Sequence, residues 1–304
     1  MIKKIITAIA ILVAALAIFL CIPSNSYLRQ ALLHGNVNTD DYKFFKNRNV
    51  SKDQTQEWEK ATGYNCKDVP KNYQDIMFRL QTHAFLVVQH GKIVHEQYFG
   101  NFNDTCISNS FSVAKSIIGL LVGCALDDSL IKSLDEPVWH YLPTFNDSMG
   151  KALSIRHLLT MSSGLDWDER YTSPFSPTTK AYYGNDLKKL ILERKITEQP
   201  GKKFRYLSAN TQLLAFILEK ATGKSVSEYA SEKIWRPLGA SKDALWSLDN
   251  ANGNEKAYCC FNAIARDFAR IGQLVLNKGR WNGKQIISEK YIKQRQMEWE
   301  TNHF

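Results

Sequence analysis

Ser112 and Lys115 stand three residues apart, just where an apolar run from Ile117 to Leu126 begins. Residues i and i+3 share a helix face, so a hydroxyl and an amine at this spacing point into one pocket. A serine hydroxyl is a weak nucleophile until a base removes its proton. A lysine serves as that base only where burial or a cationic neighbour lowers its pKa. Ile117, Leu120, Leu121 and Val122 supply the apolar surroundings. A helix start adds backbone N–H groups and positive potential where an oxyanion would develop. The competing reading is an N-capping serine followed by a lysine that snorkels to water.

These two residues need a helix to carry them and a sheet to aim that helix. The apolar pattern predicts the helix from Ser112 to Ser129. Upstream, residues 85–88 and 93–99 flank His90-Gly91 and read as a β-hairpin with glycine in the turn. Asp135-Glu136-Pro137 opens a short helix, with proline tolerated in its first turn. Ser154 caps a helix from Ile155 to Met161. A long aromatic loop follows, from Trp167 to Tyr183, rich in Ser, Thr and Pro. Its Trp167, Tyr171, Tyr182 and Tyr183 either line a substrate cleft or pack the loop against the core. A helix from Ala209 to Ala221 stops at Gly223. Ser225 and Glu228 form a capping box for the next one. Asn262 caps a helix from Ala263 to Asn277, and Ser288 opens the last helical stretch.

The chain has 304 residues, 44% of them apolar, enough for one large domain or two intimate ones. Its formal charge of +9 comes from scattered lysines without a long basic run. That argues against nucleic acid as a partner. The six cysteines show no C-x-x-C spacing, so no metal site is expected, and no cofactor is implied. Cys66 and Cys106 are the pair an exported domain would bridge, and Cys124 reads as a small core residue. The adjacent Cys259 and Cys260 suggest no role.

Lys3-Lys4 precede 18 residues, Ile5 to Ile22, that are apolar except for Thr7. As a helix this run is about 27 Å long, enough to cross a bilayer core. The expectation is a membrane anchor with the bulk of the chain outside the cytoplasm, in the cell envelope. A cleaved signal peptide is the alternative, with a lipoprotein at Cys21 a third. The expected layout is an anchor or signal over 1–34, a loop-rich lead-in over 35–74, and a catalytic domain over 75–304.

Several stretches together resemble one family. They are Ser112-Val113-Ala114-Lys115, residues 155–165 (IRHLLTMSSGL), 200–210 (PGKKFRYLSAN), 235–239 (WRPLG) and 265–270 (ARDFAR). In their order and spacing the chain resembles the serine β-lactamase and penicillin-binding-protein superfamily. Within it, the chain is most similar to class C β-lactamase-related esterases and 6-aminohexanoate-dimer hydrolases. The resemblance covers roughly residues 75 to 300.

It implies an α+β fold, an antiparallel sheet flanked by helices plus a helical region. It implies an acyl-enzyme on Ser112, with Lys115 and Tyr206 sharing the proton relay, and a small amide or ester as substrate. A cationic lysine beside Tyr206 would favour its phenolate. The Ser112 N–H would form half of an oxyanion hole. The family's Tyr-x-Asn is stretched to Tyr206-Leu207-Ser208-Ala209-Asn210, so either Ser208 or Asn210 matches the asparagine. Tyr171 matches a substrate-contacting tyrosine of the hydrolase branch, and Asn262 is placed at the same cleft. The family's third element, a Lys-Thr-Gly or His-x-Gly triplet, has no counterpart after Tyr206. The expected sheet therefore lacks its C-terminal strands. The alternative functions are a β-lactamase or D-alanyl-D-alanine carboxypeptidase, and a catalytically inactive binding protein that keeps the fold.

Overall fold

A computed structural model describes residues 1–301, with side chains described through Arg295. The chain opens with α1 (Ile2–Cys21), none of whose residues is buried, and α2 (Ser26–His34). Next come β1 (Asn47–Val50), α3 (Lys71–Arg79), β2 (Ala84–Gln89), β3 (Lys92–Tyr98) and β4 (Ile107–Asn109). The middle of the chain is helical: α4 (Val113–Asp127), α5 (Ile155–Leu159), α6 (Pro177–Tyr183), α7 (Leu187–Leu192), α8 (Ser208–Thr222) and α9 (Val226–Ala230). It closes with β5 (Ala244–Ser247), β6 (Phe261–Ile264), α10 (Ala265–Leu276), β7 (Arg280–Trp281), β8 (Lys284–Gln285) and α11 (Glu289–Thr301).

The sheet whose β4 leads into α4 has the order β1-β5-β6-β4, antiparallel throughout. This is the expected α+β arrangement. β4 is its short strand nearest Ser112, registered Asn109 to Asn262 on β6. The hairpin forms as the sequence predicts, β2 against β3, with His90 and Gly91 at φ 50° and 76° in the turn. It stands as its own two-stranded sheet. One tie to the rest of the molecule is buried Glu96, whose carboxylate accepts from Arg266 Nε and Nη2 at 2.7 and 2.8 Å.

α4 is buried from Ile117 to Ala125 without a break and packs against α8, buried from Ser208 to Leu218. Helices apolar on every side belong inside a core. Each fully buried Leu or Ile contributes roughly 1.5–3 kcal/mol of hydrophobic stabilisation. On the far side of α4, Gly123 meets the ring of Tyr291 from α11. A Cβ there would lie 2.4 Å from two ring carbons. The Tyr291 hydroxyl donates to the Gly119 carbonyl at 2.5 Å.

Two of the expected side-chain caps and one helix stop form. The Ser154 hydroxyl accepts from His157 N, that of Ser225 from Glu228 N, and α8 ends at Gly223 with φ 67°. Four local expectations are corrected. The 35–74 stretch is not only a lead-in, because β1 lies in the central sheet with Val50 fully buried. Its four residues are mostly polar and give no alternation to read. The last seven residues of the aromatic loop are helical, since Ser176 caps α6 and Pro177 opens it. Asp135-Glu136-Pro137 opens one 3₁₀ turn, Val138–His140, instead of a helix. Cys66 and Cys106 are free thiols, whereas Cys259 and Cys260 are joined to each other.

Candidate active site

The strand β4 runs through a tight turn into α4, and the turn is where Ser112 sits. Phe111 is held at φ 46°, a region a bulky residue rarely adopts. Two contacts hold it there. Asn109 Oδ1 accepts from Phe111 N at 3.0 Å, and Ser110 N donates to the Phe261 carbonyl at 2.8 Å. Such an outlier beside Ser112 is backbone strain fixed by its surroundings.

Ser112 occupies the N-cap of α4, yet its hydroxyl makes no cap bond. It accepts instead from Lys115 Nζ at 3.2 Å. The capping-serine alternative therefore does not describe this side chain. The Ser112 N–H donates to no acceptor among the described residues, leaving an open donor at a helix start.

Lys115 Nζ also donates to the Tyr258 carbonyl at 2.7 Å. Its amine lies 5.1 Å from the ring centre of Tyr206 and 5.7 Å from that of Tyr258. Burial lowers its pKa to about 8, with the charge of Glu169 working the other way. A second buried lysine, Lys256, is lowered to about 8 by the same cause. Its amine donates to the Ala181 carbonyl at 3.0 Å and lies over the Phe45 ring. Lys115 is thus distinguished by what it faces.

Tyr206 lies on the extended segment before α8 and is 39% exposed, as a group that meets substrate must be. Burial of its phenol raises its pKa, and the Ser112 hydroxyl pulls it partly back. The phenol is therefore neutral near pH 7, contrary to the expected phenolate, because desolvation outweighs the hydrogen bond with Ser112.

Tyr171 is exposed, and its hydroxyl donates to Glu169 Oε1 at 2.6 Å. Of the other loop aromatics, Trp167 and Tyr182 are buried and serve as packing. Asn262 is fully buried in β6, and α10 begins only at Ala265, so it is not a helix cap. Its Nδ2 donates to the carbonyls of Leu245 and Cys260 at 3.0 and 2.8 Å, while its Oδ1 is buried without a partner among the described residues. Asn210 is also fully buried, its Oδ1 accepting from Ser163 Oγ at 2.6 Å, whereas Ser208 reaches Glu169.

Glu169 is the residue that sequence reasoning missed. Its carboxylate accepts from Trp167 Nε1, Tyr171 hydroxyl, Ser208 N and Ser208 Oγ at 2.6–2.8 Å. A legible signal exists: the alternation Trp167-x-Glu169-x-Tyr171 puts three side chains on one side of an extended segment. A separate hollow between α3 and the hairpin, lined by Met77, Phe78, His83 and Phe102, shares no residue with this site.

The Beta-lactamase family model matches residues 70–302. The 6-aminohexanoate-dimer hydrolase of Paenarthrobacter ureafaciens is 29% identical over 227 residues, 69% of this chain and 56% of that protein. The chain thus spans little more than half the length of that curated relative. Among solved structures, a Bacillus anthracis protein classed as a 6-aminohexanoate-dimer hydrolase matches with TM-score 0.74 and 25% identity. That match covers 88% of this chain and 74% of the other. A family VIII carboxylesterase matches in fold, with TM-score 0.59 and 19% identity over 73% of each chain. With a serine at a strand-turn-helix junction, a lysine on the same helix face and a family model spanning most of its length, the chain belongs to the Beta-lactamase family of serine hydrolases.

Proposed function

We propose that this protein hydrolyses small amides or esters through an acyl-enzyme on Ser112. The observation that carries this reading is the 3.2 Å contact between Lys115 Nζ and Ser112 Oγ, with the lysine pKa lowered to about 8. In its neutral form Lys115 accepts the Ser112 proton as Oγ attacks the substrate carbonyl. The oxyanion forms beside the open Ser112 N–H. The neutral Tyr206 phenol donates its proton to the leaving group, and Lys115 returns a proton to Tyr206. Water then cleaves the acyl-enzyme by the same relay run in reverse. Tyr171, exposed beside Glu169, is proposed at the substrate side of the site. The name of the Paenarthrobacter relative favours amides of ω-amino acids among the candidates. We further propose that α1, long and apolar enough to span a bilayer, anchors the protein with its catalytic part outside the cytoplasm.

The test is exposure of the full chain, in detergent, to a fluorophosphonate, followed by intact mass and peptide mapping. One adduct on Ser112, together with turnover of a chromogenic ester, is expected. Turnover of a chromogenic β-lactam in place of the ester would favour a β-lactamase. A folded chain that forms no adduct would mean a binding protein on the same fold.

A further inference from the structure

We propose that Glu169 is a positioning residue of the hydrolytic site. Its carboxylate joins the Tyr171 side of the entrance to the first residue of α8, and so fixes Tyr206 opposite Lys115. This rests on the Ser112 reading above. Tyr206 lies on a segment, 203–207, without regular structure. That segment is tied on one side of Tyr206 by Arg205 N donating to the Met161 carbonyl at 2.7 Å. On the other side the tie is Ser208, whose N–H and hydroxyl both reach Glu169, at 2.8 and 2.6 Å. The N-cap position of α8 is Leu207, which offers no side-chain acceptor. Glu169 supplies the missing acceptor from 39 residues away, where a helix start favours a negative charge. The same carboxylate is fastened by buried Trp167, Nε1 to Oε2 at 2.7 Å, and itself holds the Tyr171 hydroxyl at 2.6 Å. One group therefore sets both tyrosines.

Its charge acts on the same residues. Lys115 faces Ser112 on its own helix, Tyr206 on the extended segment, Tyr258 before β6 and Glu169 on the aromatic loop. Of these, Glu169 carries the charge that favours the protonated lysine.

Two variants separate position from charge. In Glu169→Gln the amide oxygen can take the place of Oε2, facing the two fixed donors, Trp167 Nε1 and Ser208 N. The amide nitrogen then faces two hydroxyls, Tyr171 and Ser208, which can turn to accept. All four bonds survive and the charge is lost. Glu169→Ala loses both. The readouts are kcat and KM for a chromogenic ester, and the pH dependence of fluorophosphonate labelling at Ser112 in the full chain. The expected result for Glu169→Gln is an acid limb moved to lower pH, since the lysine loses its counter-charge. For Glu169→Ala it is a kcat/KM reduced tenfold or more, with KM raised. An unmoved acid limb in Glu169→Gln, or a kcat/KM within twofold of the unsubstituted chain in Glu169→Ala, overturns the proposal. If Glu169→Ala does not fold, the labelling profile of Glu169→Gln decides alone. If Ser112→Ala turns over and labels like the unsubstituted chain, the Ser112 reading falls and takes this one with it.

Discussion

Lys115 donates to the Tyr258 carbonyl at 2.7 Å while reaching the Ser112 hydroxyl at 3.2 Å. A carbonyl only accepts, so it holds one N–H of the amine in either protonation state. Once Lys115 is neutral, that bond fixes its orientation and leaves its lone pair to the remaining neighbour, Ser112.

The first prediction is a pH profile. The base form of Lys115 is the deprotonated one, and its fraction grows as pH rises through about 8. Ester hydrolysis should therefore rise with pH as one ionisation in that range, and Lys115→Ala should lower kcat on the order of 100-fold or more. A flat profile from pH 6 to 9, or a loss under threefold, would remove the lysine from the relay.

Tyr206→Phe should discriminate between leaving groups. A phenol that stays neutral acts by donating a proton. Nitrophenolate needs no proton to depart, whereas an alkoxide or amine does. The variant should lose on the order of 100-fold on an amide and markedly less on a nitrophenyl ester. Equal losses on both would mean that Tyr206 only shapes the site.

The back of α4 gives a stability prediction. In Gly123→Ala the new methyl meets the Tyr291 ring, which is buried and pinned by its hydroxyl bond to Gly119. Overpacking of this kind costs roughly 1–3 kcal/mol, more than the ~1 kcal/mol that alanine gains in a helix interior. At Gly119 the nearest neighbour is the guanidinium of Arg295, the far end of a flexible side chain. Gly119→Ala should therefore be the milder of the two. Thermal unfolding of both variants reads the order directly, and a Gly123→Ala as stable as the parent would contradict the packing described.

A buried ion pair explains part of the ARDFAR stretch. Asp267 accepts from Arg270 Nε at 3.0 Å and from the N–H groups of Ser241 and Lys242, and both charged side chains are buried. Arg270 also donates to the carbonyls of Gln56 and Leu238 and stacks near Trp58 and Trp281. Asp267→Ala strands that guanidinium without its counter-charge and should cost about 3–5 kcal/mol. Denaturant unfolding with a loss under 1 kcal/mol would show the pair to be dispensable.

What was legible in the sequence was local. The all-apolar face of α4, the caps at Ser154 and Ser225, and the turn at Gly91 each follow from residues within one or two turns of each other. What was not legible depends on partners far along the chain. Asn47 pairs with Ser247 and Val50 with Ala244, so the strand they form has no pattern of its own. Asn262 resembles a cap because its neighbours form a helix, yet its amide is claimed by the Leu245 carbonyl on the neighbouring strand and by that of Cys260. Glu169 looks like one acid among several until Ser208 is brought beside it. The Ser112–Lys115 pair was readable because helix periodicity alone places it.

The short segment after α1 has a practical consequence for making soluble protein. Tyr27 and Leu28 of α2 are buried, with Tyr27 under Lys180 of α6. The Gly35 carbonyl accepts from the Tyr183 hydroxyl at 2.8 Å, and the Asp41 carboxylate from that of Tyr182 at 2.6 Å. A cut between Cys21 and Ser26 would remove no buried residue of α1. A cut after Asp41 would remove all of these contacts to α6, which closes the loop that carries Trp167, Glu169 and Tyr171, and an inactive product from such a cut would say nothing about the chemistry at Ser112.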